Sequence, residues 1–227
     1  PASRRQDTPG PMARSVYDVA LMLNAMSGSD PGDPESLGAP QGIDYTKLLV
    51  PGALKGKRIG YPATFTFNGE SLPVDNSPQF SKTLQVLREQ GATLLPINLR
   101  LADASRYDEL LLSDVREELN AYLAKRPGLP VTSLAELITF NETRDGTETD
   151  HQSVLKKVNA ATLTPQQRKT LWDALIQDFR SSVDDPIKEK NLHAIVSDYD
   201  TNSYFGVAAA GYPGVTVPVS YTHLTLP

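Results

Sequence analysis

"LKGKRIGYP", Leu54 to Pro62, and "GATLLPINL", Gly91 to Leu99, bracket a helical pattern over Gln79–Gln90, and this stretch decides the fold. The first segment reads as a turn feeding a short strand, Leu54 to Tyr61. In the second, Phe80, Leu84 and Leu87 recur at the three-or-four spacing of a helix with one buried face. The third reads as another strand. Strand–helix–strand order within Lys57–Leu99 is the mark of a crossover in an α/β sheet.

Upstream, "RRQDTPGPMARSV", Arg4 to Val16, reads as a loop running into a helix. Pro9 and Pro11 lack backbone donors and Gly10 is free to take positive φ, so Thr8–Pro11 cannot be a regular element. A helix is expected from about Ala13 to Met26, with Val16, Val19, Ala20, Leu23 and Met26 on one face. Gly28 is its expected stop, and "GSDPGDPES", Gly28 to Ser36, reads as an exposed turn.

Downstream, residues 104–190 are helical in pattern almost throughout, and this block is expected to cover a face of the sheet. Leu111, Val115, Leu119 and Tyr122 form one stripe. Thr164-Pro165-Gln166-Gln167 is a capping box with proline at the first helical position, and Leu171, Leu175 and Phe179 carry that helix inward. "HAIVSD", His193 to Asp198, returns to a strand. "FGVAAAGYPGVTVPV" gives a short helix, a Gly211–Pro213 turn and a last strand over Gly214–Val219.

Composition excludes several classes of function. The 227 residues fit one large domain or part of one, and 39% hydrophobic against 22% charged residues supports a buried core. No apolar run approaches the ~18–20 residues needed to span a bilayer. The net charge is −5 and lysine and arginine do not cluster, which argues against nucleic acid as a partner. Without cysteine there is no disulfide, thiolate nucleophile or Cys-ligated zinc. That usage suits a reducing compartment, and a cytoplasmic protein is expected.

No catalytic triad can be assembled from the residues present. No serine sits in a nucleophile turn of the Gly-x-Ser-x-Gly kind. His151 lies in a polar stretch beside Asp150 and reads as solvated or capping. His193 reads as a strand-boundary residue. No histidine spacing suits a metal.

Three segments carry a family resemblance. "QDTPGPMARSVYDVALMLNAMSGSDPGDP" resembles the segment that follows the catalytic signature of amidase-signature enzymes. There a Gly-Pro-Met-(Ala/Thr)-Arg-(Thr/Ser)-Val turn precedes an amphipathic helix and a Gly-x-Asp-Pro-x-Asp-Pro turn. "LKGKRIGYP" is similar to the family's next strand, and "AAAGYPGVTVPV" to its near-C-terminal helix, turn and strand. The resemblance implies an α/β fold, a twisted mixed β-sheet flanked by helices, with the helix-rich insertion around residues 104–190. It implies hydrolysis of a carbon–nitrogen amide bond by a serine nucleophile, a second serine in a cis peptide and a lysine, without cofactor or metal. All three residues lie upstream of "QDTPGP" in the family, so no catalytic residue is assigned in this chain. Alternatives are a non-catalytic scaffold member and an amidotransferase amidase subunit. The free-standing amidases are the closer match to "QDTPGPM". Oligomeric state is open, a homodimer included.

The resemblance also nominates substrate-binding residues. Gln6 and Asp7 fall in a loop the family places near its active centre. They either hold a neighbouring catalytic loop through backbone N–H groups or make a simple turn contact. "SDYDTNSYFG", Ser197 to Gly206, follows a strand and precedes a helix, where ligands of open α/β sheets gather. It resembles the loop bordering the family's acyl pocket, making Tyr199, Asn202, Tyr204 and Phe205 candidates for its wall, against the reading of a surface loop with tucked aromatics.

Two expectations concern the ends. Residues 1–219 are expected to be the C-terminal part of a single amidase domain. Residues 220–227 resemble a reading frame of a transposase sequencing adapter and are expected to be a non-native tail, as in a frame taken from a short environmental DNA fragment. His223 falls in that tail. Residues 1–219 alone are expected to lack amidase activity and to fold poorly, because open strand edges and wet apolar faces favour aggregation.

Overall fold

A computed structural model describes residue 3 and residues 6–67, 69–143, 152–198 and 203–217; the side chains of residues 35, 67 and 203–206 are outside that description. The chain divides into two compact units, Pro1–Thr8 with Asp103–Leu175 and Pro9–Ala102 with Ile176–Pro227. The fold is α/β, with a mixed sheet and helices.

The sheet belongs to the second unit. Its long strand is β1 (Arg58–Phe67), joined by β2 (Glu70–Pro73), β3 (Thr93–Arg100) and β4 (Ala194–Ile195). β3 lies parallel to β1 over almost its whole length, with a register shift between Pro62 and Thr64. β4 pairs in parallel with Ile59 and Gly60, and β2 folds back antiparallel onto Thr64–Phe67. The β1–β3 crossover is as the sequence predicts. β1 runs past its expected end, Tyr61, to Phe67, because β2 supplies a second partner there.

Helix α2 (Pro78–Glu89) makes the crossover. Ser77 caps it by accepting from Phe80 N, and Phe80 and Leu84 are its buried residues. Its end is a Schellman motif: Ala92 N donates to Leu87 O at 3.0 Å and Gly91 N to Arg88 O at 2.9 Å, with Gly91 at φ +89°. The same pattern closes α6 (Pro165–Lys190) through Asn191 at φ 50° and α7 (Ser203–Ala210) through Gly211 at φ +71°. Arg58 reinforces the end of α6. Its Nη2 and Nε donate to Lys190 O at 2.8 and 3.0 Å, placing a cation on the helix C-terminus. Arg180 Nε likewise donates to Ala210 O at the end of α7.

Helix α1 (Val16–Met26) starts later than Ala13, because the Ser15 side chain accepts from Asp18 N and fixes the cap there. Its packing departs from expectation. Ala20 is buried, whereas Val16 and Met26 are 48% and 45% exposed. Its polar link is to the 3₁₀ turn Tyr45–Leu48: Asn24 Nδ2 donates to Asp44 Oδ1 at 2.9 Å and Tyr45 N to Asn24 Oδ1 at 2.8 Å. Residues 214–217 form no strand, a second departure. No strand pairs with them among the described residues, and Pro213 brings no donor.

The first unit is helical: α3 (Tyr107–Ala124), α4 (Leu134–Thr143), α5 (Gln152–Asn159) and the start of α6. Leu134, Ile138 and Val158 are its buried cluster, with Leu112, Val115 and Leu119 packed against them. These helices thus share a buried cluster of their own. Tyr122, expected in the stripe, is 51% exposed, and Arg126 stacks over its ring at 4.2 Å. The fourth buried position of α3 is Leu123 instead, alongside Leu110, Ser113 and Asp114. The capping box forms as read: Gln167 N donates to Thr164 Oγ1 at 3.3 Å and Thr164 N to Gln167 Oε1 at 2.9 Å. Among the described residues no helix is long and apolar enough to cross a membrane.

Candidate functional site

Gln6 and Asp7 sit in a tight turn built on Ser3. The backbone N–H groups of Gln6 and Asp7 donate to Ser3 O at 3.3 and 2.9 Å. Asp7 Oδ2 accepts in return from Ser3 N at 3.3 Å. The carboxylate and the carbonyl thus close the turn from both sides, which is what an Asx side chain does in a loop carrying prolines.

Helix α3 meets this turn at two positions. The Tyr107 hydroxyl donates to Gln6 Oε1 at 3.4 Å. Burial, then the negative charges of Asp7 and Asp108, hold the Tyr107 phenol above its ordinary range. Two turns further along, Asp114 accepts from the fully buried Ser3, whose Oγ lies 2.7 Å from Asp114 Oδ2.

Asp114 is the centre of a buried polar cluster. Trp172 Nε1 donates to the same Oδ2 at 3.0 Å, and Arg168 Nη1 reaches Oδ1 at 3.1 Å. Arg168 Nη2 also pairs with Glu117. The Trp172 ring, fully buried, stands edge-on to Tyr107 at 5.7 Å and 89°. A carboxylate this buried is tolerable because its oxygens meet a guanidinium, an indole N–H and a hydroxyl. Sequence reading passed over Ser3, Asp114, Arg168 and Trp172. The one local signal was an aspartate a helical turn from the apolar Leu110.

At the ends of the strands, Asp198 Oδ2 accepts from Ser77 N at 3.3 Å, joining the segment after β4 to the N-terminus of α2. Tyr199 and Asn202 lie outside the described residues. Tyr204 and Phe205 fall within α7, their side chains outside the description. His151 and His223 are also outside it. His193 is the boundary residue expected: its N donates to Arg58 O at 2.8 Å and its Nδ1 accepts from Arg58 N at 3.2 Å.

A groove of about 420 Å³ in the second unit runs between the sheet and α6, lined by Thr64, Asn98, Arg100, Ser181, Asp185 and Glu189 among others. Gln6 and Asp7, the nominated residues whose side chains are described, do not line it. Among the described residues no group of three or more His, Asp or Glu could hold a metal ion.

This chain belongs to the amidase family, the amidase-signature enzymes: the family model, Amidase, matches residues 1–197. An Arabidopsis thaliana protein described as a probable amidase is 30% identical over 235 residues, covering 97% of this chain and 43% of that protein. A glutamyl-tRNA(Gln) amidotransferase component from Acinetobacter baumannii is 33% identical over 134 residues, covering 58% of this chain and 27% of that protein. The crystal structure of the peptide amidase of Stenotrophomonas maltophilia superposes with a TM-score of 0.73 at 29% identity, covering 93% of this chain and 46% of that one. The chain therefore spans less than half the length of each of these proteins.

Proposed function

We propose that residues 1–219 are the C-terminal part of a single amidase domain that hydrolyses a carbon–nitrogen amide bond. Water and the amide give a carboxylic acid and ammonia or an amine. The reading rests on one observation above all, the family match over residues 1–197. The nucleophilic serine, the cis-peptide serine and the lysine lie upstream of Ser3 on this reading. There the serine attacks the carbonyl carbon, the lysine relays its proton through the second serine, and backbone N–H groups hold the oxyanion. Gln6 and Asp7 border that centre, with Tyr199, Asn202, Tyr204 and Phe205 as the acyl-pocket wall. The protein is cytoplasmic, with a small amide as its partner. Residues 220–227 stand outside the domain, and residues 1–219 alone are inactive and aggregate.

The test is expression of the complete protein and measurement of ammonia or amine release from aryl, peptide and short aliphatic amides. Turnover abolished by replacing the upstream serine supports the reading. Wild-type protein that binds these amides without turning any over moves the assignment to a non-catalytic scaffold.

The similarity to the amidotransferase component supports a second reading, in which the ammonia passes to a partner protein. It covers 58% of this chain against 97% for the plant amidase, which favours the free-standing enzyme. Activity that needs co-purified partner proteins would reverse that preference.

A further inference from the structure

We propose that Asp114 is a positioning residue for the loop that carries Gln6 and Asp7. The role rests on the amidase reading for its catalytic consequence, but its geometry stands alone. Three segments far apart in sequence, the Ser3 loop, α3 and α6, meet at one carboxylate. Ser3 and Asp114 are 111 positions apart, and Trp172 lies a further 58 beyond Asp114.

The two carboxylate oxygens have different duties. Oδ1 faces Arg168, which ties α3 to α6 and balances the buried charge. Oδ2 accepts from both Trp172 Nε1 and Ser3 Oγ. The Trp172 bond joins helix to helix. The Ser3 bond joins helix to loop, and it is the interaction with the loop that Asp114 itself supplies. Ser3 in turn is the residue on which the turn is built, since its carbonyl accepts from Gln6 and Asp7 and its N–H meets the Asp7 carboxylate. A displacement of Ser3 therefore moves Gln6 and Asp7 with it.

A loop fixed this way is held by a charge-assisted hydrogen bond in a water-poor setting, among the stronger short-range restraints available to a polar side chain. A displacement of about 1 Å near a reacting centre is enough to cost roughly 100-fold in rate.

The experiment compares Ser3→Ala, Asp114→Asn and Trp172→Phe in the complete protein. Amide hydrogen exchange of peptides spanning residues 3–8 is read by mass spectrometry, and kcat and KM are measured separately on the amide turned over fastest. Ser3→Ala removes the loop bond while leaving Arg168 and Trp172 on Asp114, so the test survives if Asp114→Asn does not fold. Trp172→Phe removes the other donor to the same oxygen and serves as the structural control. The expected result is exchange at Gln6 and Asp7 about tenfold faster in Ser3→Ala, with kcat down about tenfold and KM within about twofold. Trp172→Phe is expected to lower Tm while leaving loop exchange unchanged. Unchanged loop exchange in Ser3→Ala overturns the proposal, as does an equal response in Trp172→Phe, which would make Asp114 a helix-packing group only. Faster loop exchange in a protein whose wild type turns over no amide leaves the anchor standing and removes the amidase reading.

Discussion

The Tyr212 hydroxyl donates to Asp184 Oδ1 at 2.6 Å, tying the turn after α7 to the last part of α6. Arg180, one helical turn before Asp184, holds the same end of α7 through Ala210 O. The i, i+4 spacing puts both side chains on one face of α6, and together they fix where the small-residue helix ends.

This pair predicts a pH dependence with two limbs. The hydrogen bond from Tyr212, then that from Lys188, lowers the Asp184 carboxyl below its ordinary 3.8. The same Asp184 bond raises the Tyr212 phenol above its ordinary 10.0. A depressed carboxyl contributes stability that is present above its unfolded pKa and lost as pH falls through the folded one. A raised phenol contributes stability that is present below its unfolded pKa and lost as pH rises through the folded one. Tm of the complete protein should fall at both extremes, and Tyr212→Phe should flatten both limbs while lowering the plateau. A Tm–pH curve of Tyr212→Phe parallel to that of wild type would refute the coupling.

Gly91→Ala should destabilise the protein by about 1–2 kcal/mol, the usual cost of a left-handed residue with a β-carbon. Gly91 sits at φ +89°, and a Cβ there would lie 3.2 Å from the backbone Cα of Lys55, which cannot swing aside. Urea denaturation should show a lower midpoint with an unchanged slope. An unshifted midpoint would mean that the turn after α2 relaxes freely.

Trp172→Ala should cost about 3–5 kcal/mol, as expected for emptying a fully buried aromatic site. Trp172→Phe keeps most of the volume and should cost about 1–3 kcal/mol, mainly by leaving Asp114 short of a donor. Denaturation followed by circular dichroism separates the two. Equal losses would place the whole effect in the indole hydrogen bond.

Arg58→Met should destabilise by about 1–2 kcal/mol, keeping an apolar stem but removing the donors to the α6 C-terminal carbonyls. The Schellman turn at Asn191 is then left to end the helix alone. Exchange of the Leu192 and His193 amides should quicken in parallel. A stability loss without that local change would point to the sheet rather than to the helix end.

Asp7→Ala in the complete enzyme should reduce kcat/KM by about 10–100-fold, because the carboxylate that closes the Ser3 turn is gone. Steady-state kinetics on the best amide tests this. Wild-type kinetics would reduce Asp7 to a loop-closing residue without catalytic consequence.

What the sequence determined on its own is what short-range rules govern. The crossover through α2, the capping box at Thr164 and the helical run from residue 104 to 190 follow from periodicity and caps spanning a few residues. The hairpin to β2 went unread, although "NGE" after "TFTF" is a hairpin signal. Tertiary structure decided the rest. Helix periodicity nominated Tyr122 for the interior, yet its neighbour Leu123 is buried, because which face of α3 is covered depends on the helices that meet it. The Asp114 cluster was out of reach for the same reason. Its hydroxyl, guanidinium and indole come from residues 3, 168 and 172, and no local pattern around an aspartate records which distant donors will close on it.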